Sequence, residues 1–227
     1  LDATLMQAIS ASSIRTLTEF DPQEIANTAW AFAKLQLEDA PLLDSLAPAA
    51  VRRLAQFDPQ HLSNTAWAFA ALGVPNGTLL ESIASAALNS MPSFRAQDLS
   101  NLAWALATLQ IFDAPLLSAI SASARKSLPS FQPQNLANTA WAMATLGLRN
   151  GPLMQSIAAA ALPRIRLLGE SAQNLSNTAW AFASIAFIHP PLLHAIAAAA
   201  LRRITDFDRQ GLANTSWALA KLALGNV

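Results

Sequence analysis

The sequence predicts an all-α fold, an α-solenoid of about six tandem helix-turn-helix repeats, and three observations predict it. One phrase recurs around six tryptophans: QEIANTAWAFAKL at Trp30, QHLSNTAWAFAAL at Trp67, QDLSNLAWALATL at Trp104, QNLANTAWAMATL at Trp141, QNLSNTAWAFASI at Trp180 and QGLANTSWALAKL at Trp217. The tryptophans are spaced by 37 residues, with one excursion to 39 between Trp141 and Trp180. Self-similarity at such a period marks stacked supersecondary units. Between the copies, apolar residues such as Leu42, Leu46, Ala49, Ala50 and Leu54 recur at three- and four-residue spacing, the mark of an amphipathic helix.

Each repeat therefore pairs a Trp-bearing A helix with a following B helix. The chain opens on a B helix, Leu5 to Leu17, and its equivalents start at Pro41, Thr78, Pro115, Pro152 and Pro191. A helices are expected near 22–36, 59–72, 96–109, 133–146, 172–185 and 209–222. Their starts are written clearly: Asp21 and Asp58 can cap the orphan amides of the first turn, and Pro22 and Pro59 stand where no N–H is needed. Glu24 at the third helical position completes a capping box, and Phe20 can staple onto Ile25. Ser171 supplies the cap of the fifth A helix, and Gln132 is a weaker one. Gly73 and Gly147 fall where a left-handed residue would end a helix. The two extra residues lie near Gly169, where the stapling Phe is also lost, so a local irregularity is expected there.

Apolar residues make up 53% of the 227 and charged ones 12%, enough to bury a large interior of closely packed alanine-rich helices. No apolar run approaches the roughly 20 residues needed to cross a bilayer. The absence of cysteine excludes disulfides and thiolate metal sites. The formal charge is zero, so no net attraction to nucleic acid or membrane follows. Leu1, Leu5 and Ile9 at one end and Leu219 and Leu222 at the other are core-type residues with no repeat beyond them. Residues 1–227 thus read as one solenoid domain within a longer protein or an assembly.

A helical wheel at about 100° per residue gathers Ile25, Ala29, Phe32 and Gln36 on one side of the first A helix, facing the B helices. The opposite stripe, Gln23, Asn27, Trp30 and Lys34, is where function is to be sought. Asn27, Asn64, Asn101, Asn138, Asn177 and Asn214 would form one column, and Gln23, Gln60, Gln97, Gln134, Gln173 and Gln210 another. Such amides either bridge neighbouring repeats or meet an extended polymer, and both roles are compatible. The tryptophans could stack on bases, but the favoured reading wedges them between repeats as core. Reading a varied sequence needs positions that differ between repeats. Two columns do: Glu24, His61, Asp98, Asn135, Asn174 and Gly211, and then Lys34, Ala71, Thr108, Thr145, Ser184 and Lys221. These are the candidates for hydrogen bonding to base edges. At the ends of the B helices stand Arg15, Arg52, Arg53, Arg125, Lys126, Arg164, Arg202 and Arg203. They complement helix dipoles or form a rail for phosphates.

Nothing points to catalysis, a cofactor or a small-molecule substrate. The three histidines, His61, His189 and His194, lack metal-ligand partners at suitable spacing, and His189 and His194 flank Pro190-Pro191 at the start of a B helix. Gly147-Leu148-Arg149-Asn150-Gly151 is a turn and not a phosphate loop.

The phrase PQ-x-L-[SA]-N-T-A-W-A-[FM]-A-x-L, in a helical hairpin of about 37 residues, resembles the octotricopeptide repeats of algal organelles and the heptatricopeptide repeats of alveolate protists. Arg95-Ala96 and Asp208-Arg209 depart from it by lacking the Pro, and Leu102 and Ser216 replace the usual Thr and Ala. The resemblance implies a right-handed α-solenoid that binds single-stranded RNA in a mitochondrion or chloroplast and supports transcript maturation, stability, translation or ribosome assembly. It places RNA on the A-helix face, at the Asn and variable columns. The rival expectation is a non-enzymatic scaffold for protein subunits of an organellar complex.

Overall fold

A computed structural model describes residues 2–224, and the sequence-predicted hairpins are its building blocks. Leu1, one of the core-type terminal residues, lies outside them. The described residues form an all-helical repeat solenoid, α1 (Ala3–Thr16), α2 (Pro22–Lys34), α3 (Ala40–Arg53), α4 (Pro59–Ala71), α5 (Gly77–Ser90), α6 (Ala96–Thr108), α7 (Ala114–Ser127), α8 (Pro133–Thr145), α9 (Gly151–Ala161), α10 (Ile165–Leu168), α11 (Ala172–Ser184), α12 (Pro190–Arg202) and α13 (Arg209–Leu224). The chain divides into two compact units, Leu1–Phe94 and Arg95–Val227. The A helices are α2 and α4 in the first unit and α6, α8, α11 and α13 in the second.

Capping fixes where each A helix begins. The Asp21 and Asp58 carboxylates accept the third amide of their helices at 2.8 Å. In return the Asp21 N–H donates to Glu24 at 2.8 Å and the Asp58 N–H to His61 at 3.3 Å. Ser171 Oγ accepts from the Asn174 N–H at 3.3 Å. The B helices are capped in the same way by Asp39, Asn76, Asp113, Asn150 and His189, whose Nδ1 accepts the Leu192 N–H at 3.2 Å.

α13 runs past its expected end to Leu224, and the first five A helices stop one or two residues before theirs. In each, the second residue beyond the helix turns left-handed: Gln36, Gly73, Gln110, Gly147 and Ala186, with φ between 53° and 68°. The next amide then returns to a carbonyl of the last turn, as Leu37 N–H does to Phe32 at 2.9 Å. This is the Schellman closure. Gln36 thereby leaves the packed stripe in which the helical wheel had placed it and is exposed. The wheel's other members, Ile25, Ala29 and Phe32, are buried.

Most B helices end in a 3-10 turn, Leu54–Gln56, Met91–Ser93, Leu128–Ser130 and Ile204–Asp206. The 39-residue repeat differs as expected near Gly169: α9 is short, a 3-10 turn follows at Leu162–Arg164, and α10 is inserted before α11. Within the units, A helices pack on A helices and B on B, α2 with α4, α6 with α8, α8 with α11, and α11 with α13. Fully buried Leu62, Phe69, Leu99 and Phe182 separate the layers, and alanines such as Ala105, Ala142 and Ala181 allow close approach.

Candidate nucleic-acid interface

The stripe opposite the core is carried by the same 3.6-residue period that buries Ile25 and Phe32. It puts Gln, Asn, Trp and the variable residue one turn apart along each A helix. All six glutamines of the stripe are exposed; Asn27 is exposed, and Asn64, Asn101, Asn138, Asn177 and Asn214 are half-buried.

The tryptophans correct the expectation of core wedges. None of the six is buried: Trp30 and Trp217 are 40% and 45% exposed, and Trp67, Trp104, Trp141 and Trp180 are half-buried. In the second unit two consecutive indoles lie side by side instead. Trp104 and Trp141 have ring centroids 6.4 Å apart and planes tilted by 30°. In the first unit the Lys34 ammonium lies 5.6 Å from the Trp30 ring and 5.4 Å from that of Trp67. The Lys221 ammonium lies 4.6 Å from the Trp217 ring and donates to the Ser184 carbonyl at 3.3 Å. A cation over an indole face is worth about 0.5–1 kcal/mol at exposed sites.

The first variable column is partly committed to the fold. Glu24, His61, Asp98 and Asn135 each accept the N–H of the residue that caps their own helix, Asp98 from Arg95 at 3.0 Å and Asn135 from Gln132 at 2.9 Å. Asn135 also reaches the preceding repeat, donating its amide N–H to Ser100 Oγ at 2.9 Å. Asn174 is half-buried. In the second column the hydroxyls of Thr108 and Thr145 are buried without a hydrogen-bond partner.

The basic column divides in two. Arg164 donates to the carbonyls of Phe131 and Pro129, both at 2.8 Å, and of Leu128 at 3.4 Å, tying the end of its B helix to the 3-10 turn one repeat earlier. Arg53 likewise donates to the Thr18 carbonyl at 2.6 Å, and Arg203 pairs with Asp206 at 2.7 Å. By contrast Arg15, Arg52, Arg125, Lys126 and Arg202 are exposed.

Amides, indoles and cations on one repeating framework invite comparison with known families. A family model described as RNA-editing substrate-binding complex 6 protein matches residues 1–186. The chain belongs to that family. The match runs through α1 to α11 and so takes in five of the six tryptophans. No curated protein matches the chain.

Membership of the RNA-editing substrate-binding complex 6 protein family concerns a chain with no helix, among the described residues, long and apolar enough to cross a membrane. No group of three or more potential metal-ligating side chains is found among those residues. Two couplings escaped the sequence reading: Lys34 between two indoles, and Asn135 on Ser100. The second had a signal, since a serine alternates with alanine at the position before the invariant Asn.

Proposed function

We propose that the chain is a non-enzymatic, organellar RNA-binding repeat protein that holds single-stranded RNA on the Gln-Asn-Trp face of its A helices and acts in transcript maturation. The observation that carries this reading is the half-exposed indole column with amides beside it. Aromatic faces stack on any base, while amides donate and accept at base edges. The family's description, a complex that binds RNA-editing substrates, supports the same reading, as does the resemblance to octotricopeptide and heptatricopeptide repeats. Arg15, Arg52, Arg125, Lys126 and Arg202, free of the ties that occupy Arg164, would meet phosphates.

Zero net charge favours a second reading, a scaffold for other subunits of such a complex, because electrostatics normally supplies much of RNA affinity. The test is binding of the purified chain to a pool of random single-stranded RNAs at low and high salt. Micromolar or tighter binding that weakens with salt is expected. Trp104→Ala together with Trp141→Ala should lower affinity by about 1–3 kcal/mol per stacked base. No binding at low salt by a chain that remains helical would overturn the RNA reading in favour of the scaffold.

A further inference from the structure

Two neighbouring pairs of A helices in the second unit solve the same packing problem differently. Between α6 and α8, the third residue of α8 is Asn135, whose amide N–H donates to Ser100 Oγ. Between α11 and α13 the equivalent residues are Gly211 and Ser176. Gly211 has no side chain to send, and a cleft of 380 Å³ opens there, lined by Gln173, Ser176, Asn177, Asp208, Gly211 and Asn214. It lies in the Gln-Asn stripe of the candidate interface.

The amides of Gln173, Asn177 and Asn214 can present either end to a ligand, but the two groups held fixed by the fold, Ser176 and Asp208, are acceptors. Ser176 is 2% exposed, and its hydroxyl hydrogen is spent on the Gln173 carbonyl at 3.1 Å. Its lone pairs, filled in Ser100 by Asn135, accept nothing among the described residues. A Cβ on Gly211 would stand 3.6 Å from that oxygen, 3.1 Å from Asp208 Oδ1 and 3.2 Å from a Phe207 ring carbon, so a side chain there would start against the cap and beside Ser176. Asp208 caps α13 by accepting the Gly211 N–H at 2.7 Å, and a carboxylate has further acceptor capacity and no donor when ionised. The Ser176 hydroxyl is satisfied as a donor, and its oxygen keeps acceptor capacity for a ligand.

We infer that this cleft is a base-selective pocket that takes a nucleobase carrying an exocyclic amino group, and that uracil fits it worst. The amide NH2 of Asn135 on Ser100 is the internal stand-in for the amino group of adenine, cytosine or guanine on Ser176. Uracil offers a single N–H between two carbonyl oxygens, and those oxygens would face Ser176 and Asp208. The inference rests on the RNA reading above and sharpens it to one site.

The test uses fluorescently labelled short homouridine RNA and the same RNA with a single central A, C or G. The wild-type chain should bind at least one substituted RNA about five-fold or more tighter than homouridine, the lower end of the discrimination a good base contact gives. Gly211→Asn supplies Ser176 with the donor that Asn135 gives Ser100, and should erase the preference among the four RNAs. Its tolerance is expected because Glu24 and His61 occupy the same place after the same Phe-Asp pair. Ser176→Ala should also weaken the preference, and Ala26, Ala137 and Ala213 stand at that position in other repeats. Equal binding of all four RNAs by the wild type, or a preference that survives in Gly211→Asn, overturns the pocket and leaves the RNA reading standing. Binding of none of them at low salt overturns both.

Discussion

Arg164 and the pair Arg125–Lys126 end B helices in neighbouring repeats, and they do opposite things. Arg164 occupies the position held by Thr16, Arg53, Ser90, Ser127 and Arg203, immediately before the apolar residue that follows the B helix. Hydroxyls at that position bond back to their own helix, Ser90 to the Ala86 carbonyl and Ser127 to that of Ser123, both at 2.9 Å. Arg53 and Arg164 reach the preceding repeat instead, whereas Arg203 pairs with Asp206 of its own repeat. Arg125 and Lys126 fall two residues and one residue earlier in the period, respectively, and are exposed. A shift of one residue along a helix end thus separates a fastener from a free charge, and composition alone treats the two alike.

The contrast can be broken at Arg164 first. Arg164→Ala removes bonds to three carbonyls, of which only that of Leu128 keeps a backbone partner, the Phe131 N–H, and charge-assisted bonds of this kind contribute about 1.5–3 kcal/mol. Urea denaturation should show a loss in that range. Arg53→Ala removes a single bond and should cost about 1 kcal/mol. Arg125→Ala with Lys126→Ala should leave stability within about 0.5 kcal/mol. If those residues meet phosphates, the double variant should flatten the salt dependence of RNA binding by about 0.7 for each phosphate no longer neutralised. Equal destabilisation by Arg164→Ala and the double variant would erase the distinction.

The architecture was legible because its signals are local and repeated six times. Asp21 and Asp58 cap, Gly73 and Gly147 close, and the irregular repeat announces itself by two added residues and a missing Phe. The site was legible only in outline. The 3.6-residue period put Gln, Asn and Trp on one face, but it could not say that the indoles would stay half-exposed. That depends on how closely the A helices approach, which their buried alanines set. Nor could single-helix reasoning foresee Asn135 on Ser100 or Arg164 on the Phe131 carbonyl, since both link residues more than thirty apart in the chain. The rail drawn from charge alone joined fasteners and free cations because their register against the preceding repeat is a tertiary property.

The left-handed residue after the first five A helices bears on how such an array can be improved. The backbone geometry is kept whether the residue is Gly73 or Gly147, which suit it, or Gln36, Gln110 and Ala186, which do not. A side chain in that conformation costs about 1–2 kcal/mol, partly offset by the greater freedom glycine has when unfolded. Gln36→Gly, Gln110→Gly and Ala186→Gly should each raise stability by about 0.5–1 kcal/mol, readable as stepwise increases in melting temperature. Three of these closures lie below their thermodynamic optimum, and an engineer lengthening or redesigning the array could recover that margin without touching the Gln-Asn-Trp stripe.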